Sequence, residues 1–101
     1  MVIISLWSFP PESAKEIGKR VLELPPLPTY MTRKDYVNNE VGVGIKVITV
    51  YEVDQSKLRE ALEVLNNRYV IFFGVPGFTY SIRVWLETME ALKLIGIGLS
   101  G

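Results

Sequence analysis

The order in which hydrophobic periodicity changes along this chain restricts its fold more than any other feature. Val2 to Ser8 alternates as a strand does, with Ile4 and Leu6 on one face and Ile3, Ser5 and Trp7 on the other. Pro10 and Pro11 end that run, and Pro11 suits the first turn of a helix, where its missing N–H costs nothing. Ala14, Ile17, Val21 and Leu24 then recur at the spacings of an amphipathic helix. Its opposite, solvated face carries Glu12, Lys15, Glu16, Lys19 and Arg20. Pro25-Pro26-Leu27-Pro28 stops the helix and forces an extended link. That link contains a P-x-x-P spacing, which reads here as a stiff connector rather than a docking ligand. Tyr30 to Val37 reads as a second strand, Asn38 to Gly42 as a turn, and Val43 to Val53 as the clearest strand in the chain. In this last strand Val43, Ile45, Val47, Thr49, Tyr51 and Val53 share one face, while Lys46, Ile48, Val50 and Glu52 share the other. Two strands joined by a tight polar turn pair as an antiparallel hairpin.

Asp54 has the chemistry of an N-cap, and Leu58, Ala61, Leu62, Leu65, Tyr69 and Phe72 continue a helical stripe that predicts a helix to about Phe73. The β-rich run Tyr69–Phe73 is also compatible with a short strand, and periodicity does not separate the two over so few residues. Gly74-Val75-Pro76-Gly77 is a turn. Phe78 to Glu87 is a strand with Tyr80, Ile82, Val84 and Leu86 on one face and Thr79, Ser81, Arg83 and Trp85 on the other. A short helix from Thr88 to Ile95 ends at Gly96, and an apolar tail, Ile97 to Gly101, follows it, placed to cover a groove or join a second interface.

At 101 residues the expectation is one domain over 1–101, with 87–101 as its short terminal helix and tail. Hydrophobic residues make up 49% of the chain and charged ones 22%, which places it among folded globular sequences rather than disordered ones. Eleven Lys and Arg balance eleven Asp and Glu, so the electrostatic footprint of a nucleic-acid binder is missing and no such partner is expected. The chain has no cysteine and no histidine. Disulfides, thiol chemistry, Ser-His-Asp and Cys-His catalysis, and ordinary zinc or haem ligation are therefore excluded. The acidic residues show no Ca²⁺-loop spacing, so neither metal nor cofactor is expected. The N-terminal residues lack a signal-peptide pattern, and no apolar run approaches bilayer-spanning length. The expected location is the cytoplasm, with no membrane partner.

Strand-helix-strand, strand-helix-strand specifies an α+β fold: a ferredoxin-like β-α-β-β-α-β antiparallel sheet with helices on one face. The other sheet face is too apolar for water. If Ile4, Leu6, Ile82 and Val84 meet the helices, then Ile3, Trp7 and Trp85 point outward, and a patch of that kind marks an interface or a ligand groove. Through the strand at Val2–Ser8, the hairpin Tyr30–Val53 and the strand Phe78–Glu87, with helices between, the chain resembles the dimeric α+β barrel proteins. The resemblance is one of architecture over nearly the whole chain. It implies a homodimer or higher homo-oligomer with two sheets face to face. That superfold hosts cofactor-free enzymes, haem enzymes and ligand-sensing domains, so it does not choose an activity.

The sharpest candidate ligand-binding constellation is Ser5, Trp7, Arg83 and Trp85, which strand parity brings together across two neighbouring strands, with Tyr51 or Lys46 joining from the third. Two indoles and a guanidinium suit a flat or anionic small molecule. Interface cores are rich in the same residue types, so Arg83 and the tryptophans also fit a subunit contact. Without histidine, catalysis would fall to residues such as Asp35, Tyr36, Glu52 or Tyr51, and no spacing singles one out. The leading expectation is a homodimer binding a small apolar or aromatic molecule, with cofactor-independent catalysis left open. The alternative is a structural or regulatory oligomerisation domain without activity.

Overall fold

A computed structural model describes residues 1–96. Its elements are β1 (Val2–Phe9), α1 (Ala14–Val21), β2 (Met31–Glu40), β3 (Gly44–Val53), α2 (Leu58–Val70), β4 (Thr79–Trp85) and α3 (Thr88–Leu94). The four strands form one antiparallel sheet in the order β2-β3-β1-β4, a ferredoxin-like arrangement with β1 and β3 central. The tail after Gly96, read as a groove cover, lies outside the described residues.

Local chemistry explains most boundaries. A 3-10 turn over Pro11–Ser13 leads into α1, and Ser13 Oγ ties that turn to the Pro76 carbonyl at 2.7 Å. Asp54 caps a second 3-10 turn by accepting from the Ser56 N–H at 2.9 Å, and α2 grows from it. α2 ends at Val70, short of Phe73. The Ile71, Phe72 and Phe73 N–H groups then bond three residues back, in turns rather than a strand. The β2–β3 connection sits later than expected. Asn38 and Asn39 stay in the ladder, and the turn is Val41-Gly42-Val43. Gly44 closes it at φ 105°, where an added Cβ would lie 2.8 Å from the Phe9 carbonyl oxygen.

The core lies between the sheet and the helices. Ile3, Met31, Tyr51, Ala61 and Leu65 form one buried cluster, and Phe9, Ile17, Val47, Tyr69, Phe72 and Val75 form another. Ile82 packs against both.

This core corrects the expected facing of β1. Ser5 stands opposite Ile82 on one side and Thr49 on the other; Trp7 stands opposite Tyr80 and Val47. Ile3, Ser5, Trp7 and Phe9 therefore face the helices, and Ile4 and Leu6 lie on the open face. The alternation of β1 was ambiguous because both of its faces are apolar. The side that carries a serine is the buried one because Tyr69 of α2 fills the room that a small side chain leaves.

Candidate functional site

The helices leave part of the sheet uncovered. On β2 the helix-side positions Arg33, Asp35 and Val37 are exposed, whereas Val47, Thr49 and Tyr51 on β3 are buried. Between them opens a cavity of about 290 Å³. Its floor is Trp7, Val47, Thr49 and Tyr51. The end of α1 and the residues after it supply Val21 and Leu24; α2 and the turn after it supply Arg68, Tyr69 and Phe72; Arg33, Asp35 and Val37 border it from β2.

Polar groups in and behind the cavity are ordered in two short chains. Trp7 Nε1 donates to Thr49 Oγ1 at 3.3 Å, and Thr49 Oγ1 donates to Asp35 Oδ1 at 2.6 Å. The other Asp35 oxygen lies 3.4 Å from Arg33 Nε. Behind the cavity, Tyr69 OH meets Ser5 Oγ at 2.5 Å and Tyr51 OH at 3.4 Å. Burial pushes the Tyr69 phenol well above its ordinary range, and the adjacent Tyr51 adds to the effect, so Tyr69 stays protonated and does not serve as a base. The Trp7 ring stacks on Phe72 at 5.7 Å, and Tyr69 stacks on Tyr80 at 5.0 Å, which fixes the cavity wall in place.

Arg68 is the least expected member. It is only 8% exposed, and its Nη1 donates to the Pro25 carbonyl. Among the described residues no carboxylate lies within 4.0 Å of it. Desolvation lowers its pKa below the usual arginine value. No group of three or more acidic side chains among the described residues is arranged to hold a metal ion.

The expected constellation is thus divided by the sheet. Trp7 and Tyr51 line the cavity, and Ser5 lies behind it, fully buried, holding Tyr69. Arg83 and Trp85 are on the opposite, open face, where they stand across from Ile4 and Val2. Parity counted within each strand was right, but the register between β1 and β4 pairs Ser5 with Ile82 rather than with a neighbour of Arg83 on its own face. Asp35 was named only among the available acids and bases, and Thr49, Tyr69, Phe72 and Arg68 were not named as site residues. Arg68 left a signal, since it interrupts the apolar stripe Ala61, Leu65, Phe72 at helical spacing.

The open face has an apolar middle. Tyr36, Ile48 and Leu6 form one cross-strand row, and Val50 and Ile4 form the centre of the next, between Lys34 and Arg83. Leu6 and Ile48 are each 38% exposed, Trp85 49% and Tyr36 51%.

No protein-family model matches the chain, and no curated protein matches it in sequence. Similarity appears among solved structures. A dimeric ferredoxin-like protein of unknown function from Thermobifida fusca YX superposes with a TM-score of 0.52 at 9% identity, over 84% of this chain and 92% of that one. A de novo designed protein, Foldit4, matches with a TM-score of 0.47 at 13% identity, over 85% of this chain and 94% of that one. The first likeness supports the ferredoxin-like fold of this chain. No helix among the described residues is long and apolar enough to cross a membrane.

Proposed function

We propose that the chain is a single-domain, homodimeric binding protein that holds a small apolar or aromatic molecule between its sheet and helices. The observation that carries this reading is the cavity of about 290 Å³, walled by Trp7, Phe72, Val47 and Leu24 and edged by a few oriented polar groups. Apolar walls with sparse, fixed polar groups are the usual composition of small-molecule sites, and this volume is near the lower end of their range. Dimerisation through the open face would cover Leu6, Ile48, Ile4 and Val50 with the same residues of a second copy. The dimeric state described for the Thermobifida fusca protein is consistent with that arrangement.

The open face also bears on the nucleic-acid alternative. Sheets that stack bases present aromatic rings on their central strands. Here the central strands β1 and β3 present Val2, Ile4, Leu6, Ile48 and Val50, and the aromatics Tyr36 and Trp85 stand on the edge strands. Aliphatic centres favour a protein contact.

Native mass spectrometry of gently purified protein tests the reading. The expected result is a dimer carrying a small adduct that departs on activation. A dimer that stays bare after incubation with apolar aromatic compounds would leave only the oligomerisation role, and a monomer at micromolar concentration would remove the dimer.

A further inference from the structure

The cavity continues toward the surface at its arginine end. A second space of about 310 Å³ adjoins it and shares Val21, Leu24, Arg33 and Arg68 with it. Pro25, Pro26 and Leu27 of the connector line this outer space, and none of the residues lining it is acidic. Two guanidinium groups therefore border one vestibule, and the carboxylate beside them, Asp35, is already engaged by Thr49 and Arg33. Counting Arg33 and Arg68 against Asp35 leaves the site one positive charge in excess.

A guanidinium has five donors. Arg68 is only 8% exposed as a residue, and its one side-chain hydrogen bond among the described residues is to the Pro25 carbonyl, with no ion-pair partner there. None of its nitrogens is both fully buried and unpartnered, so the remaining donors keep access to the space around them, where a ligand can meet them. Holding it in the apolar stripe of α2 gives up packing that a leucine or methionine would supply. Packing alone therefore does not account for the residue.

We infer that the ligand of this cavity is a monoanion with an apolar body, a carboxylate on an aromatic or short alkyl skeleton, its charge held between Arg68 and Arg33 and its body against Trp7 and Phe72. The inference rests on the cavity reading above and adds to it the charge and orientation of the ligand. The one excess positive charge suits a single negative charge, and the planar fork of Arg68 suits a carboxylate. Dianions such as phosphate esters would leave the site with excess negative charge.

The test uses matched pairs, benzoate with benzamide, 2-naphthoate with 2-naphthamide, and octanoate with octanamide. Binding is read by calorimetry and by the fluorescence of Trp7 in Trp85→Phe protein, where it is the only indole. At least one carboxylate is expected to bind about tenfold or more tightly than its amide. In Arg68→Met, which keeps much of the apolar stem, that preference should fall to within about twofold. Equal affinity of acid and amide in the wild-type protein would overturn the anionic ligand and leave the cavity reading standing. If no member of any pair gives heat or quenches Trp7, the cavity reading falls as well. The acid–amide comparison in wild-type protein decides the matter even if Arg68→Met does not fold.

Discussion

At the scale of single residues, the buried hydroxyl of Ser5 shows how one small side chain sets a wall. Ser5 is fully buried, and the Tyr69 phenol that bonds to it also forms part of the cavity lining. Tyr69→Phe removes one partner and leaves Ser5 Oγ dry, a change expected to cost about 1–3 kcal/mol in urea unfolding. Adding Ser5→Ala removes the stranded group, so the double variant should recover part of that loss. A Tyr69→Phe protein as stable as wild type would mean that the contact contributes nothing. Leu65, also fully buried, has no polar role, and Leu65→Ala should cost about 2–5 kcal/mol by the same measurement. Such residues differ in how far the sequence reveals them. Leu65 was legible from helical spacing alone, as were Trp7 and Tyr51 as members of their strand faces. Ser5 was legible as a strand residue but not as a buried one, because its polarity suggests solvent and only its partner on α2 reverses that. Arg68 was legible only as a break in a stripe.

At the scale of elements, boundaries follow from caps and glycines. Asp54 accepts from both the backbone N–H and the hydroxyl of Ser56, at 2.9 Å each. The backbone bond, more than the hydroxyl, holds its carboxyl below the ordinary value of 3.8. A carboxyl depressed by folding adds stability above its unfolded pKa and loses it as pH falls through the folded one. Asp54→Ala should therefore lower the melting temperature near pH 7, and the gap from wild type should close below about pH 4. A gap that persists at pH 2 would show that the cap acts without its charge. Gly44 controls the hairpin in a different way. Its φ of 105° and the nearby Phe9 carbonyl leave no room for a methyl group. Gly44→Ala should cost at least about 1 kcal/mol in thermal or urea unfolding. The order of elements was legible because each segment has a distinct period, and β3 was nearly exact. Facing was less so. β1 is apolar on both sides, and a strand of that kind takes its orientation from its neighbours, here Thr49 and Ile82 opposite Ser5. The late hairpin turn was hidden because Asn38 and Asn39 have turn chemistry but stay paired with Lys46 and Ile45.

At the scale of the whole molecule, the two faces of the sheet divide the work proposed for the protein, and a single substitution can separate them. Leu6 lies near the middle of the open face, across from Ile48 on β3 and Ser81 on β4. The charges around this middle nearly balance: Lys34, Lys46 and Arg83 against Glu40 and Glu52, with Lys46 3.9 Å from Glu40. Self-association should then be driven by apolar burial and change little with ionic strength, whereas a nucleic-acid complex would weaken steeply with added salt. Burying a large aliphatic side chain is worth about 1.5–3 kcal/mol, and Leu6, already partly covered, still has some of that to gain. A twofold interface loses this contribution twice and must bury two carboxylates when Leu6 becomes Glu. Leu6→Glu should weaken dimerisation at least about tenfold in sedimentation equilibrium. The cavity lies across the sheet, so its affinity for an aromatic carboxylate should stay within about twofold of wild type. Loss of ligand binding together with the dimer would mean that the site needs both copies. A Leu6→Glu protein that dimerises as tightly as wild type would place the interface elsewhere and leave the apolar rows of β1 and β3 without a partner.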